Sequence, residues 1–495
     1  MSQPSWNRST RWLQPAIILI YLILGTLYAV YTPAWQAPDE PAHYNYVQYL
    51  AEQHRFPILK LGDYPADYLE EIKSAHFPPE MSIAPIRYEF HQPPLYYLLA
   101  VPVYRLFGGA LLPLRLLSVA LGVLLLLVVH WTVQALAPAR PHLALGATAF
   151  VAFLPMHLAM TAAANNDTLA ELLLATVLLL SIRYLKLDGS QSGQRERTRL
   201  LILLGVTTGL ALVTKSSIYI TLPLVLLAIA LKHFWLEDRT LAAGLKSGFV
   251  YLLPAVALAL PWWLRNIALF GDADFLGLGR HDQVVVGQLR TTEFVTEHGT
   301  AQLVHDFTLT SFRSFWGQFG WMGVLLDERI YQALAILSAL ALLGFVFWGV
   351  RLWRRRGAFP RWQWAAGSLL LVSGLLTLAS YFWYNAQFVQ HQGRYLFTAL
   401  IPIGLAVALG WRESLGRDHA WPLAALFLIS VAVLRLAGLL PNWPLLMLIA
   451  TAVALAVRRF LPARLDPFVR ACPYVLLILA DLASLFLFIV PQLTV

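Results

Sequence analysis

An all-α, polytopic membrane fold is what this sequence predicts, and three observations predict it. Of 495 residues, 58% are hydrophobic and only 13% charged, with a mean hydropathy of +0.62, which no soluble globular class matches. Apolar runs of roughly 18 to 22 residues, the length that crosses about 30 Å of hydrocarbon, recur from end to end. Basic residues collect in short connections between those runs, as the orientation of membrane helices requires.

The runs fall at 13–31, 111–136, 143–163, 169–187, 200–213, 218–231, 249–264, 330–350, 364–384, 396–411, 421–440, 443–457 and 474–490, so about thirteen helices are expected. No A-x-A-like cleavage site follows the first run, and it reads as a retained helix rather than a removed signal peptide. With the N-terminus (Arg8, Arg11) in the cytoplasm, about 22 of the 36 Lys and Arg lie in inside loops, notably at Arg195, Arg197 and Arg199, from Arg351 to Arg361 and from Arg458 to Arg470. The expected organisation is a cytoplasmic N-terminus at 1–12, a transmembrane module at 13–411 with long outer loops at 32–110 and 266–329, and C-terminal transmembrane helices at 412–495. The net charge of +9 is spread over separated loops and needs no nucleic acid to explain it. One cysteine, Cys472, excludes an internal disulfide or a cysteine-based metal site.

The first outer loop opens with PDEPAHYNY, in which Asp39 and Glu40 lie between Pro38 and Pro41. Pro41 favours a first helical turn, so both acids mark a helix N-terminus, with His43 a turn on. Helix capping accounts for one acid there, not for an acid pair. A helix is expected over 40–56, and the aromatic segment 94–107, too short to span, is expected along the membrane interface with Tyr96, Tyr97 and Tyr104. His91, in HQPPLYY, opens it as a polar anchor or a site group. The second loop, rich in Gly, aromatics and charges, is expected to cover the same side.

Lys215, Arg265 and Arg394 each end an apolar run on the outer side, where basic residues are otherwise scarce. Any one of them can snorkel, whereas three converging on an acidic face would suit a lipid phosphate, which Arg clamps in bidentate fashion. Asn165, Asn166 and Asp167 form a short outer turn, either as turn formers or as groups facing Asp39, with Asp167 a hard oxygen ligand for Mg²⁺ or Mn²⁺. Arg435 and Asp481 lie in late runs, where they could pair.

These phrases resemble the GT-C superfamily of membrane glycosyltransferases: protein O-mannosyltransferases, lipid A aminoarabinose transferases and oligosaccharyltransferases. PDEPAHY, HQPPLYYLLAVPVYRLFG with LPLRLLSVALGVLLLL, the NND turn, LALVTKSS and RYLF occur in the family's order. PWWLRNIALFGD and FWGQFGW are similar to a bacterial multi-pass branch, and the resemblance covers roughly 13–410. It implies an inverting transferase that moves a sugar from a polyprenyl-phosphate donor to a hydroxyl of a glycan, lipid or protein, at the outer face of the cell inner (plasma) membrane. Asp39, with Glu40 as neighbour or substitute, would be the base; His43, His91, Lys215, Arg265 and Arg394 would hold substrate and phosphate. Some family members use a divalent metal and others do not; Asn166 and Asp167 lie in the relevant loop, but a paired D-x-D is lacking, so the resemblance implies no certain cofactor. The competing classes are a transporter or flippase for lipid-linked envelope polysaccharide, whose site would sit near the midplane, and a noncatalytic scaffold for it.

Overall fold

The computed structural model describes residues 12–188, 191–436 and 442–494. Expectations for the N-terminal residues Arg8 and Arg11, and for the end of the 421–440 run, fall outside it. Helices α1 (Leu13–Tyr31), α5 (Leu111–Leu136) and α8 (Asp167–Lys186) begin and end within two residues of the apolar runs that predict them, because lipid-length hydrophobic sequence leaves the backbone no partner but itself. Among the described residues nine helices are long and apolar enough to cross a membrane, and ten if a bent pair counts as one span. The chain is a multi-pass membrane protein.

Fewer than the thirteen expected helices qualify as spans by length and composition alone, for two physical reasons. The 143–163 run is broken into α6 (Pro141–Ala152) and α7 (Pro155–Thr161), which meet at 69°. Pro155 has no N–H to give and forces Leu154 into an extended conformation. Three further helices run between the two ends of the bundle without meeting the apolar criterion. α9 (Gln191–Leu212) carries four charges between Arg195 and Arg199, while α17 (Ala420–Leu436) and α18 (Asn442–Arg458) are short, at 17 residues each.

Both long loops lie at one end. The first contains α2 (Glu40–Gln53), α3 (Ala66–Ser74) and α4 (Leu95–Leu106). The second follows α11 (Leu241–Phe270) and holds α12 (Leu278–Val284), the long α13 (Thr291–Trp316) and a two-residue antiparallel pair, β1 (Gln318–Phe319) with β2 (Val324–Leu325). The loops pack into one layer: Trp321 Nε1 donates to the Trp35 carbonyl at 2.9 Å, Arg280 Nε donates to the Leu59 carbonyl at 3.1 Å, and Phe77 stacks on Trp321.

Interfacial placement of two tyrosines on α4, Tyr96 and Tyr97, needs correction, while Tyr104 stays partly exposed. Tyr96 and Tyr97 face inward and are fully buried, whereas Leu98, Leu99 and Leu106 form the exposed face. Tyr97 stacks on Tyr46 at 3.7 Å and its hydroxyl meets His43 Nδ1 at 2.8 Å, so ring packing and a buried polar partner outweigh solvent contact.

At the other end run the connection between α14 (Glu328–Arg354) and α15 (Arg361–Asn385) and the start of α19 (Asp466–Ala483). α14 packs backbone to backbone on α16 (Leu400–Ser414): a Cβ on Gly344 would lie 1.9 Å from the Gly410 carbonyl oxygen. Small residues at such crossings let helices approach without a hydrophobic drive from lipid. This contact fixes α16, and the 3-10 segment Gly393–Ala399 that leads into it carries Arg394.

Candidate active site

Asp39 and Glu40 are adjacent in sequence but do different things. Asp39 has φ 68, a left-handed conformation that turns the chain into α2, so the two side chains leave in different directions. Glu40 is fully buried, and its oxygens accept from Arg115 Nε at 2.8 Å, Arg115 Nη2 at 2.6 Å, Ala164 N at 3.1 Å and Trp35 N at 3.1 Å. Arg115 spends its other N–H groups on the carbonyls of Ala29, Thr32 and Pro33. Glu40 therefore ties α1, α5 and the turn after α7 together and keeps no lone pair for an acceptor hydroxyl, which corrects its expected part as substitute base.

Asp39 is half-buried and open to the loop layer. Tyr88 donates its hydroxyl to Oδ1 at 2.8 Å, and Arg394 Nη2 donates to Oδ2 at 2.8 Å. Burial alone would raise this carboxyl, but the charge of Arg394 and the hydrogen bonds from Arg394 and Tyr88 outweigh it and hold it below the usual carboxylate range. The base candidate is thus ionised at neutral pH.

Of the three expected cations, two share this centre. Lys215, at the end of α9, is hydrogen-bonded to Asp167 Oδ1 at the start of α8, and both lie within electrostatic reach of His43. Arg394 also donates to Gln392 Oε1 at 2.6 Å and approaches Met160 Sδ at 3.7 Å. Gly393 places it: a Cβ there would lie 2.2 Å from the Ser311 carbonyl oxygen on α13, so only glycine lets the segment come this close. Both cations keep N–H donors beyond those these contacts use. Arg265 is elsewhere. Its guanidinium lies over Trp262 at 4.4 Å and donates to the Pro57 carbonyl and to Asn266 Oδ1, which removes it from the expected phosphate cradle.

Glu89 is a third carboxylate at the centre that sequence reasoning passed over among many loop acids. It is buried, its Oε2 has no hydrogen-bond partner, and burial raises its carboxyl, with Asp39 adding to the rise and Lys215 and Gln92 opposing it. Two nearby carboxyls are thus pushed apart, one ionised and one toward the neutral form. Burial lowers His43, and it lowers His91 to about 4 and His281 to about 3; the rings of the last two lie 4.4 Å apart. All three are neutral near pH 7.

Asn165 is a turn former, accepting from Asp167 N at 3.0 Å and donating to Met160 O. Asn166 is fully buried beside Gln92 and Thr214, with Oδ1 lacking a partner. Asp39 and Asp167, the acids expected nearest a divalent metal, are each paired with a cation, and among the described residues no three His, Cys, Asp or Glu are grouped to hold an ion. The expected Arg435–Asp481 pair does not form either. Arg435 is exposed on α17, while Asp481 is buried on α19 with both carboxyl oxygens unpartnered.

The fold is shared with solved membrane proteins of low sequence identity. The apo structure of ArnT from Cupriavidus metallidurans aligns with a TM-score of 0.53 at 15% identity, over 97% of this chain and 77% of that one. The apo oligosaccharyltransferase of Archaeoglobus fulgidus aligns at 0.51 and 13% identity, over 97% of this chain and 57% of that one. The same enzyme tethered to an acceptor peptide containing an NVT sequon aligns at 0.50 and 14%, over 96% and 55%. This chain thus spans just over half the length of the oligosaccharyltransferase. Residues 64–270 match the family model described as dolichyl-phosphate-mannose-protein mannosyltransferase, a segment that includes Glu89, His91, Asp167 and Lys215 and leaves out Asp39 and Arg394. No curated protein sequence matches the chain.

Proposed function

We propose that the protein is an inverting glycosyltransferase that moves a sugar from a polyprenyl-phosphate donor to a hydroxyl acceptor, with Asp39 as general base. The observation that carries this is the Asp39–Arg394 contact at the mouth of the bundle, with Lys215 nearby: an ionised base and two cations share one membrane-boundary site. The family description of residues 64–270, which names a dolichyl-phosphate sugar, supports the same donor class.

In this reaction the acceptor oxygen attacks the anomeric carbon, the bond from that carbon to the phosphate oxygen breaks, and Asp39 takes the acceptor's proton. Negative charge grows on the departing polyprenyl phosphate, where the spare donors of Lys215 and Arg394 stabilise it. Tyr88 holds the Asp39 carboxylate in orientation, and neutral His43 sits behind it against Tyr97. The acceptor is a cell-envelope glycan, lipid or protein. The site faces the outside of the plasma membrane, since the acidic loops lie at the end opposite the Arg351–Arg361 cluster.

The test is incubation of purified protein with radiolabelled polyprenyl-phosphate sugars and envelope extracts. Sugar transfer by the wild type and its loss in Asp39→Asn support the reading; transfer that survives in Asp39→Asn removes Asp39 as base.

A further inference from the structure

At the end of the bundle away from Asp39, six arginines from six segments gather. Arg140 precedes α6, Arg351 and Arg412 lie in the last turns of α14 and α16, Arg417 is in the α16–α17 connection, Arg458 ends α18 and Arg470 lies near the start of α19. From Arg394 a 3-10 segment and then α16 lead to Arg412, which puts this cluster roughly 30 Å from the site described above.

Two carboxylates answer the six. Asp466 accepts from Arg458 Nη2 at 2.8 Å and from Arg417 Nη2 at 3.2 Å, and Glu413 pairs with Arg351. A third, Asp418, is exposed beside His419. Arg412 lies within electrostatic reach of Arg470, Arg140 and Arg351, yet none of Arg140, Arg412 and Arg470 forms an ion pair among the described residues. Arg458 is 3% exposed, and its Nη1, together with Nε of Arg417 and of Arg470, is enclosed without an acceptor. Orientation rules explain basic loops on one side of a membrane, but loop arginines spread into water. Here helix ends hold like charges together and leave buried donors unanswered, an arrangement that costs energy unless an anion completes it.

We infer that this cluster binds a phosphate group, carried by an anionic phospholipid or as free phosphate, between the ends of α16, α18 and α19. Guanidinium forks match phosphate oxygens in bidentate geometry. Exposed Trp421 and Phe460, 6.2 Å apart, flank the cluster as interfacial aromatics do, which places a headgroup within reach. The bound phosphate would join the C-terminal helices to the rest of the bundle, and it is independent of the transfer reaction proposed above.

The full chain in neutral detergent should be given phosphatidylglycerol, phosphatidylcholine or inorganic phosphate, with bound lipid read by native mass spectrometry and unfolding temperature followed in parallel. Retention of phosphatidylglycerol about tenfold over phosphatidylcholine is expected, and an R412Q/R470Q variant should lose that preference, while R195Q/R199Q, on exposed α9 residues, should keep it. A rise in unfolding temperature with phosphate alone assigns a free ion; a rise with phosphatidylglycerol only assigns the lipid. Equal retention of both lipids with no effect of phosphate overturns the inference, as does an unchanged preference in folded R412Q/R470Q. Should that variant fail to fold, a photoreactive phosphatidylglycerol on the wild type decides: crosslinks at 410–420 and 456–472 support the site, and crosslinks only elsewhere overturn it.

Discussion

Replacing Glu40 and Asp39 one at a time separates a structural carboxylate from a chemical one. Glu40→Gln keeps the side-chain shape but leaves the Arg115 guanidinium, 3% exposed, without its counter-charge. Breaking a buried pair from one side costs about 3–5 kcal/mol. Against a total stability on the order of 5–15 kcal/mol, that loss is large. Arg115→Gln should cost a similar amount, because it strands the Glu40 carboxylate on two backbone N–H groups and frees three carbonyls. The double variant should cost less than the sum of the two, since each single change already destroys the same pair. Asp39→Asn behaves differently: the Asp39 side chain is 28% exposed and the Arg394 pair can be reached by water, so it should cost less stability than Glu40→Gln, while turnover falls by about 10²–10⁴-fold. The assay is thermal unfolding in detergent by tryptophan fluorescence, with sugar transfer measured per folded molecule. A Glu40→Gln protein that melts like wild type, or one that stays folded and loses as much turnover as Asp39→Asn, would refute the assignment.

Other outcomes follow from the same geometry. Gly393→Ala places a Cβ 2.2 Å from the Ser311 carbonyl oxygen and must push Arg394 away from Asp39; displacement on the order of 1 Å should cost about 10²-fold in turnover, and wild-type kinetics would show that the close approach is dispensable. Arg394→Gln should weaken binding of a polyprenyl-phosphate donor by about 10- to 100-fold, whereas Arg265→Gln should leave it unchanged; equal effects would restore Arg265 to the cradle. Because the Asp39 carboxyl lies below the usual range, transfer should persist as pH falls from 7 to about 4 and be lost only below that, as the base takes up its proton. Removing the Arg394 charge should raise the Asp39 carboxyl and move this acid limb to higher pH, so an unmoved limb in Arg394→Gln would rule out the pairing in solution. With the exposed Cys472 replaced, a membrane-impermeant thiol reagent on intact cells should label a cysteine at Glu70 and miss one at Ala358; the reverse would place the site on the other side of the membrane.

Much of this protein could be read along the chain, because a membrane makes burial a one-dimensional quantity. Runs of lipid length at 13–31 and 111–136 became helices with those same bounds, and charges just beyond such runs, as at Asp39, Lys215 and Arg394, had to lie at the membrane boundary where a site can form. Arg115 also left a signal, an arginine one turn inside an apolar run, though nothing in the sequence named its partner. Which charges meet was decided only by the tertiary structure. Glu40 finds an arginine 75 positions away and Asp39 one 355 positions away, although the two acids are neighbours. Arg265 ends an apolar run as Arg394 does, yet its guanidinium settles on Trp262. Glu89 resembles the other loop acids until the fold buries it beside Asp39. Pairing and desolvation depend on which distant segments come within a few ångströms, and local sequence does not carry that distance.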